Sequence, residues 1–179
     1  MFFITDYIDG GSLSFYIQND LLTEELIILY TAELVLALDA IHQHDYVYRD
    51  LKPDNILINE NGHIKLIDFG LCMKMKKRSK CTCGGTPEYL PPEIINHSSF
   101  DQTADYWQLG IVVWEMLTKT TPFNAPTPNQ IYSNILNKKL EKPSGMSILI
   151  SFLFHSFPFL NIKLSISVIC YSIKTIKLA

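Results

Sequence analysis

The sequence lacks the features that mark several other classes of protein. Its four cysteines form no CxxC pair and have no histidine cluster at zinc-binding spacing, so no zinc site is predicted. Unpaired cysteines of this kind are typical of reduced thiols, which favours a cytoplasmic protein. The net charge of −3 gives no reason to expect nucleic acid as a partner. No basic segment precedes Asp6, so no signal peptide is predicted.

The C-terminal part of the chain lacks acidic residues, since every Asp and Glu lies at or before Glu141. From Ile148 onward the sequence is mostly apolar, and a transmembrane helix needs about 20 mostly apolar residues in succession. Polar residues and a proline interrupt this run at His155, Pro158, Asn161 and Lys163. The interruptions argue against a membrane span and favour a plain apolar tail over residues 144–179. A domain boundary is therefore predicted after residue 143.

Hydrophobic periodicity and turn signals predict several elements before this boundary. These are a strand at residues 2–7, helices at 13–18, 24–42, 104–117 and 128–137, and a hairpin of strands 56–58 and 64–67 around Asn61-Gly62. The helix at 104–117 is apolar nearly all round, which is typical of a buried central helix. Asp105 near its start is then a buried carboxylate that needs hydrogen-bonding partners.

Three short motifs follow one another along the chain. They are YRDLKPDN at residues 48–55, DFG at residues 68–70 and GTPEYLPPE at residues 85–93. Asp50 precedes the predicted hairpin and Asp68 ends it, so the two carboxylates should converge at one end of a small sheet. Carboxylate and amide oxygens are the ligands that a hard cation such as Mg²⁺ prefers.

In order and spacing, these motifs resemble the catalytic core of protein kinases, specifically the AGC group of serine/threonine kinases. Three features resemble that group, namely Tyr48 in place of the commoner histidine and the segments GHIKLIDFGLC and GGTPEYL. The pair Lys52-Pro53 resembles serine/threonine rather than tyrosine kinases. The resemblance implies an α+β, protein-kinase-like fold with a mainly helical C-terminal lobe, a small β-hairpin sheet and no N-terminal lobe. It covers about residues 2–143 and implies transfer of the γ-phosphate of ATP to a serine or threonine of a protein substrate.

The resemblance also assigns roles to residues around the phosphate. Asp50 would be the catalytic base, and Lys52 would contact the transferring phosphate. Asn55 and Asp68 would bind the magnesium ions that accompany ATP. Thr86 would bridge Asp50 and Lys52 and so order the segment that holds the acceptor residue.

Further residues are assigned to the nucleotide and to regulation. The carbonyl of Asp6 and the amide of Ile8 would bind the adenine edge, and Leu57 would lie under the ring. Thr82 stands where AGC kinases carry an activating phosphothreonine, with Arg49 as the expected cationic partner of the phosphate. An upstream activating kinase is then a further expected partner.

The 179 residues contain no GxGxxG loop, no strand lysine for the α- and β-phosphates and no helix glutamate to pair with that lysine. This polypeptide by itself is therefore expected to have negligible activity. Two alternatives are a non-catalytic binding module or pseudokinase that uses the helix from Gln130, and a fragment tethered to a membrane by residues 148–173. Glu93 should lack its usual arginine partner, because no arginine follows Arg78.

Overall fold

The computed structural model describes residues 7–75 and 84–141. Within these ranges the helices are α1 (Leu13–Gln18), α2 (Glu24–Gln43), α3 (Pro92–Ile95), α4 (Thr103–Thr118) and α5 (Pro128–Asn137). The strands are β1 (Tyr46–Val47), β2 (Ile56–Ile58), β3 (Ile64–Leu66) and β4 (Met73–Lys74). The α+β class and the four helices expected from the sequence are confirmed. The strand expected at residues 2–7 lies outside the described residues, apart from Tyr7.

Two of the longer helices begin at side-chain caps that the sequence shows directly. The Thr23 hydroxyl accepts a hydrogen bond from the amide of Leu26 at 3.4 Å, and the first turn of α2 carries acidic residues that suit the helix dipole. The Thr127 hydroxyl accepts from the amide of Gln130 at 3.4 Å, and Pro128 occupies the first turn of α5. Both helix starts therefore follow from local chemistry.

The core lies between α2 and α4. Leu34 and Leu38 of α2 and Ile111 of α4 are fully buried, and such side chains each stabilise the fold by roughly 2 kcal/mol on burial. The rings of Trp107 and Phe123 stack at 5.9 Å between centroids. Helix α4 is thus packed against α2 and against the turn at residues 87–89.

Two small antiparallel sheets lie beside the helices. Strand β2 pairs with β3 in the register Leu57↔Lys65, and β1 pairs with β4 in the register Val47↔Met73. Asn59 and Gly62 shape the turn of the hairpin, in which Gly62 has φ +78°. The hairpin is the one expected from the sequence, whereas β1 and β4 were not expected.

No helix in the described part of the chain is long and apolar enough to cross a membrane. The membrane-tether hypothesis concerned residues 148–173, which lie outside the described residues.

Candidate functional site

Two polar side chains of α4 hold the backbone of residues 48–51 in place. The carboxylate of Asp105 accepts hydrogen bonds from the amides of Tyr48 and Arg49, both at 2.8 Å, and lies 2.7 Å from Nε2 of His42. Asp105 is completely buried, so these contacts are its whole compensation for lost hydration. The expectation that Asp105 is a buried carboxylate with backbone partners is confirmed.

Gln108 lies one turn further along α4 and holds the next part of this loop. Its Oε1 accepts from the amide of Leu51 at 3.0 Å, and its Nε2 donates to the carbonyl of Arg49 at 2.9 Å. Arg49 has φ +74°, a left-handed conformation that is unfavourable for a residue with a Cβ atom. The contacts from α4 therefore hold the loop in a backbone shape that it would not adopt alone.

The carboxylate of Asp50 is the centre of the side-chain cluster that this loop presents. Its Oδ2 accepts from Nζ of Lys52 at 3.0 Å and from Nδ2 of Asn55 at 2.9 Å. Lys52 Nζ also donates to the hydroxyl of Thr86 at 3.1 Å, so the expected contact between the loop and residues 85–93 is present. Asp50 is buried, and these donors keep its carboxylate fixed beside the ammonium group.

Asn55 and Asp68 lie next to each other because the amide of Ile67 donates to the carbonyl of Asn55 at 3.0 Å. Nδ2 of Asn55 donates to Asp50, which leaves the side-chain oxygen of Asn55 to bind a cation. One carboxylate oxygen of Asp68 accepts from the amide of Gly70 at 3.0 Å, and the other is the candidate ligand. Asp68 has φ +57°, again a left-handed conformation.

These two oxygen donors fit Mg²⁺, which is usually held by one or two protein ligands together with phosphate oxygens and water. The described residues contain no group of three or more His, Cys, Asp or Glu side chains that could hold a metal. An amide and a carboxylate alone would bind Mg²⁺ weakly. The donor set therefore fits a cation that arrives with a phosphorylated ligand.

The side chain of Tyr48 contacts the segment at residues 67–69. Its hydroxyl donates to the carbonyl of Ile67, and its ring packs edge-on against Phe69 at 5.3 Å between centroids. Burial raises the pKa of the Tyr48 hydroxyl, and the carboxylates of Asp50 and Asp68 raise it further. The contacts of Tyr48 therefore join the loop at residues 48–51 to the segment that carries Asp68.

The structure describes two of the three residues that were assigned to adenine. Ile8 and Leu57 are both half-buried, and Leu57 forms a bridge to Ser12 beyond the β2–β3 ladder. The Ser12 hydroxyl caps α1 by accepting from the amide of Phe15 at 3.3 Å. Asp6 lies outside the described residues, so its expected contact with adenine stays a prediction.

Arg49 is buried behind the loop, whereas Thr82, its predicted phosphorylated partner, lies outside the described residues. The guanidinium group lies 5.2 Å from the centre of the Phe100 ring. It also donates to the carbonyl of Leu71 at 3.4 Å and contacts the sulfur of Met73 at 3.2 Å. Arg49 therefore links the loop to the strand that follows the DFG motif.

A second cluster was not found by sequence reasoning. The hydroxyl of Tyr89 donates to Oε2 of Glu115 at 2.5 Å, which joins residues 85–93 to α4. Burial raises the pKa of both groups, and the carboxylates of Glu88 and Asp54 raise both further. Glu115 is one of the few polar residues in the mostly apolar helix α4, and this contrast is visible in the sequence. Gln108 stands out in the same helix for the same reason.

Glu93 belongs to this segment and is half-buried. Burial raises the pKa of its carboxyl, a hydrogen bond from its own backbone opposes that shift, and Asp101 adds to it. The described residues include no arginine after Arg49, and the sequence has none after Arg78. The ionised form of Glu93 is therefore disfavoured in the folded chain.

The comparisons with known proteins agree with this geometry. A family model described as "Protein kinase domain" matches residues 1–157. The cAMP-dependent protein kinase catalytic subunit of Schizosaccharomyces pombe is 40% identical over 148 residues, which are 82% of this chain and 29% of that protein. Serine/threonine-protein kinase Sgk1 of Homo sapiens is 43% identical over 148 residues, 80% of this chain and 34% of that protein.

Ribosomal protein S6 kinase alpha-6 of Homo sapiens is 44% identical over 151 residues, 82% of this chain and 20% of that protein. The chain spans about a third or less of the length of these relatives. The fold, the loop around Asp50 and the family match point to one conclusion. The chain belongs to the protein kinase family, in its AGC-type serine/threonine group.

Proposed function

We propose that this chain provides the catalytic loop and the metal ligands of a kinase that transfers the γ-phosphate of ATP to a serine or threonine of a protein. The observation that supports this most strongly is the cluster in which Lys52 contacts both Asp50 and Thr86. Phosphoryl transfer needs little covalent help from the protein, so catalysis depends on positioning and on charge neutralisation. A buried carboxylate held by donors on two sides meets that need.

Each side chain of the cluster has a proposed task. Asp50 orients the hydroxyl of the acceptor residue and takes its proton, while Lys52 neutralises the oxygens of the transferring group. Asn55 and Asp68 hold Mg²⁺, which supplies charge neutralisation at the phosphates of ATP. Thr86 holds Lys52 against Asp50 and ties the acceptor-binding segment to the loop.

The 179 residues contain no GxGxxG loop to cover the phosphates of the nucleotide, and Ile8 and Leu57 are the described residues proposed to lie beside the adenine. We therefore expect the 179-residue polypeptide to transfer no measurable phosphate. It would become active when it is joined to a small lobe that carries a glycine-rich loop, a lysine and a glutamate. Such a lobe covers the phosphates and excludes water, which strengthens every charge interaction inside the site.

The test uses two polypeptides, the 179-residue chain alone and the same chain fused behind the small lobe of a related kinase. The fusion should phosphorylate a serine peptide with Mg·ATP, and Asp50→Asn should lower the rate by at least about a hundredfold. Asp39→Asn on α2 is the matched control and should leave the rate unchanged.

Activity of the fusion that survives Asp50→Asn would contradict the proposed role of Asp50. Transfer by the unfused chain that Asp50→Asn abolishes would contradict the expected inactivity. A folded but inactive fusion would favour the non-catalytic binding module instead.

The same family membership supports proposals on regulation and location. We propose that phosphorylation of Thr82 by an upstream kinase creates a charged group for Arg49, and that the protein acts in the cytoplasm. Thr82→Ala in the fusion should lower activity and remove its dependence on the upstream kinase. The tail at residues 148–173 is proposed to have no membrane role, so deleting it should not change the fraction that sediments with membranes.

A further inference from the structure

The β2–β3 hairpin is short, and only β2 contains fully buried residues. Ile56 and Ile58 of β2 are buried, whereas in β3 Lys65 is exposed and its two neighbours are only half-buried. A hairpin of two strands is marginally stable by itself in water. Burial therefore specifies the register of β3 weakly, and a contact from elsewhere is needed to hold it.

Glu33 of α2 supplies such a contact at the start of β3. Its Oε1 lies 2.5 Å from Nδ1 of His63, and its Oε2 accepts from the amide of Ile64 at 2.9 Å. The side chain of Glu33 is 20% exposed, so the carboxylate is partly shielded from water, which strengthens both contacts. One carboxylate thus holds two successive residues of the hairpin.

The amide of Ile64 has no partner within the hairpin. The carbonyl of His63 accepts from the amide of Asn59 at 2.9 Å, and the amide of Ile67 donates to the carbonyl of Asn55 at 3.0 Å. Backbone groups alternate in direction along a strand, so Ile64 directs its amide away from β2. Glu33 satisfies this outward donor and covers the free edge of β3 at that point.

We propose that Glu33 is a positioning residue that sets the register of β3 and thereby places Asp68 beside Asn55; this role rests on the proposed magnesium site. Asp68 follows Leu66, the last residue of β3, by two positions. A slip of one residue would move it by about 3.3 Å and turn its side chain to the opposite face. Glu33 at the start of the strand and the Asn55 carbonyl at its end fix the register together.

The first measurement is amide hydrogen exchange at Ile67 in the full chain, followed by NMR. Glu33→Ala should speed this exchange at least about tenfold, because a charge-assisted hydrogen bond to the strand is lost. Glu33→Gln should have a smaller effect, since its side-chain oxygen can still accept from Ile64. Asp39→Ala is the matched control, because Asp39 lies on the same helix and contacts Gln43. Unchanged exchange within α4 shows that each variant is folded.

The second measurement follows the paramagnetic broadening of amide signals by Mn²⁺ as a substitute for Mg²⁺, with ADP present. In the unsubstituted chain Mn²⁺ should broaden the signals of Asn55 and Gly70. Glu33→Ala should raise the concentration needed for half-maximal broadening several-fold, and Glu33→Gln should raise it less.

Exchange at Ile67 that Glu33→Ala leaves unchanged would overturn the positioning role. If Mn²⁺ broadens no signal even in the unsubstituted chain, the proposed magnesium site fails. In that case the exchange data still report whether Glu33 holds the register, so the two failures are distinguishable.

Discussion

At the scale of single residues, the site depends on polar side chains buried among apolar ones. Asp105 and Gln108 lie one turn apart on α4, and together they contact the backbone of Tyr48, Arg49 and Leu51. A buried backbone group without a partner is expensive, so each of these contacts is worth more than its net hydrogen-bond energy suggests. The loop at residues 48–51 is therefore sensitive to changes on α4.

Gln108→Leu tests this dependence directly. The substitution keeps the side-chain volume but leaves the Leu51 amide and the Arg49 carbonyl unpaired in the interior. The free energy of unfolding, measured with urea, should fall by about 2–4 kcal/mol. Gln43→Leu is the control, because Gln43 is exposed at the end of α2, and it should change stability by less than about 0.5 kcal/mol. Equal effects of the two substitutions would contradict the proposal that Gln108 holds the backbone of residues 48–51.

Glu93 predicts a pH dependence with a definite sign. Its pKa is raised in the folded chain, so the stability linked to its bound proton is fully present below the ordinary value of 4.5 and is lost as the pH rises through the folded pKa. Glu93→Gln should therefore stabilise the chain at neutral pH, by roughly 0.5 kcal/mol after allowance for the solvent that reaches this half-buried group.

The advantage of Glu93→Gln should shrink as the pH falls toward 4.5, where the wild-type carboxyl becomes protonated. Melting temperatures recorded across this range provide the measurement, with Glu60→Gln on the exposed hairpin turn as control. An advantage that grows as the pH falls would show that the carboxylate is stabilised in the folded chain by a charge partner.

Sequence reasoning reached some residues of the site and missed others for a physical reason. Asp50, Asn55 and Asp68 belong to short contiguous motifs, so their proximity follows from the loop and the hairpin. Gln108 and Glu115 act across the fold from a helix, and no spacing within the chain connects them to their partners. Only the packing of α4 brings Gln108 to the loop and Glu115 to Tyr89.

At the scale of elements, length and local turn signals together decided what the sequence revealed. The helices α2, α4 and α5 span several turns, so their periodicity and caps predicted them with bounds within about two residues. Strands β1 and β4 have two residues each, and α3 has four. Elements that short have no measurable period, and their formation depends on the tertiary contacts around them.

The backbone at Gly10 passes so close to β2 that no side chain fits between them. A Cβ atom on Gly10 would lie 2.3 Å from the carbonyl oxygen of Ile58, which is backbone and cannot rotate away. Gly10→Ala should therefore shift the segment that carries Ile8 and lower the free energy of unfolding by about 1–3 kcal/mol, as overpacking does.

Gly84→Ala is the matched control for Gly10→Ala in the same urea denaturation. A Cβ atom there would lie 3.4 Å from a flexible side-chain atom of Leu71, which is ordinary contact. Little or no change is expected from Gly84→Ala. Equal, small effects at both glycines would show that the segment at Gly10 can move without loss.

At the scale of the whole molecule, the described residues share one main hydrophobic core, to which α2 and α4 both contribute. The composition of the sequence predicts a domain boundary after residue 143, whereas the family match extends to residue 157. A chain that ends at residue 143 should keep the melting temperature and the urea midpoint of the full chain. A loss of more than about 1 kcal/mol on this truncation would place residues 144–157 inside the domain.

The complete burial of Asp105 has a consequence for how the site is lost as well as for how it is built. If residues 48–51 opened locally, a charged group would remain inside the protein with two of its donors gone, at a cost of about 3–5 kcal/mol. The free energy needed for this local opening is then nearly as large as the free energy needed to lose the surrounding packing. The amides of Tyr48 and Arg49 should consequently exchange their hydrogens only in the events that also expose α4, so that the site and the core behave as one cooperative unit.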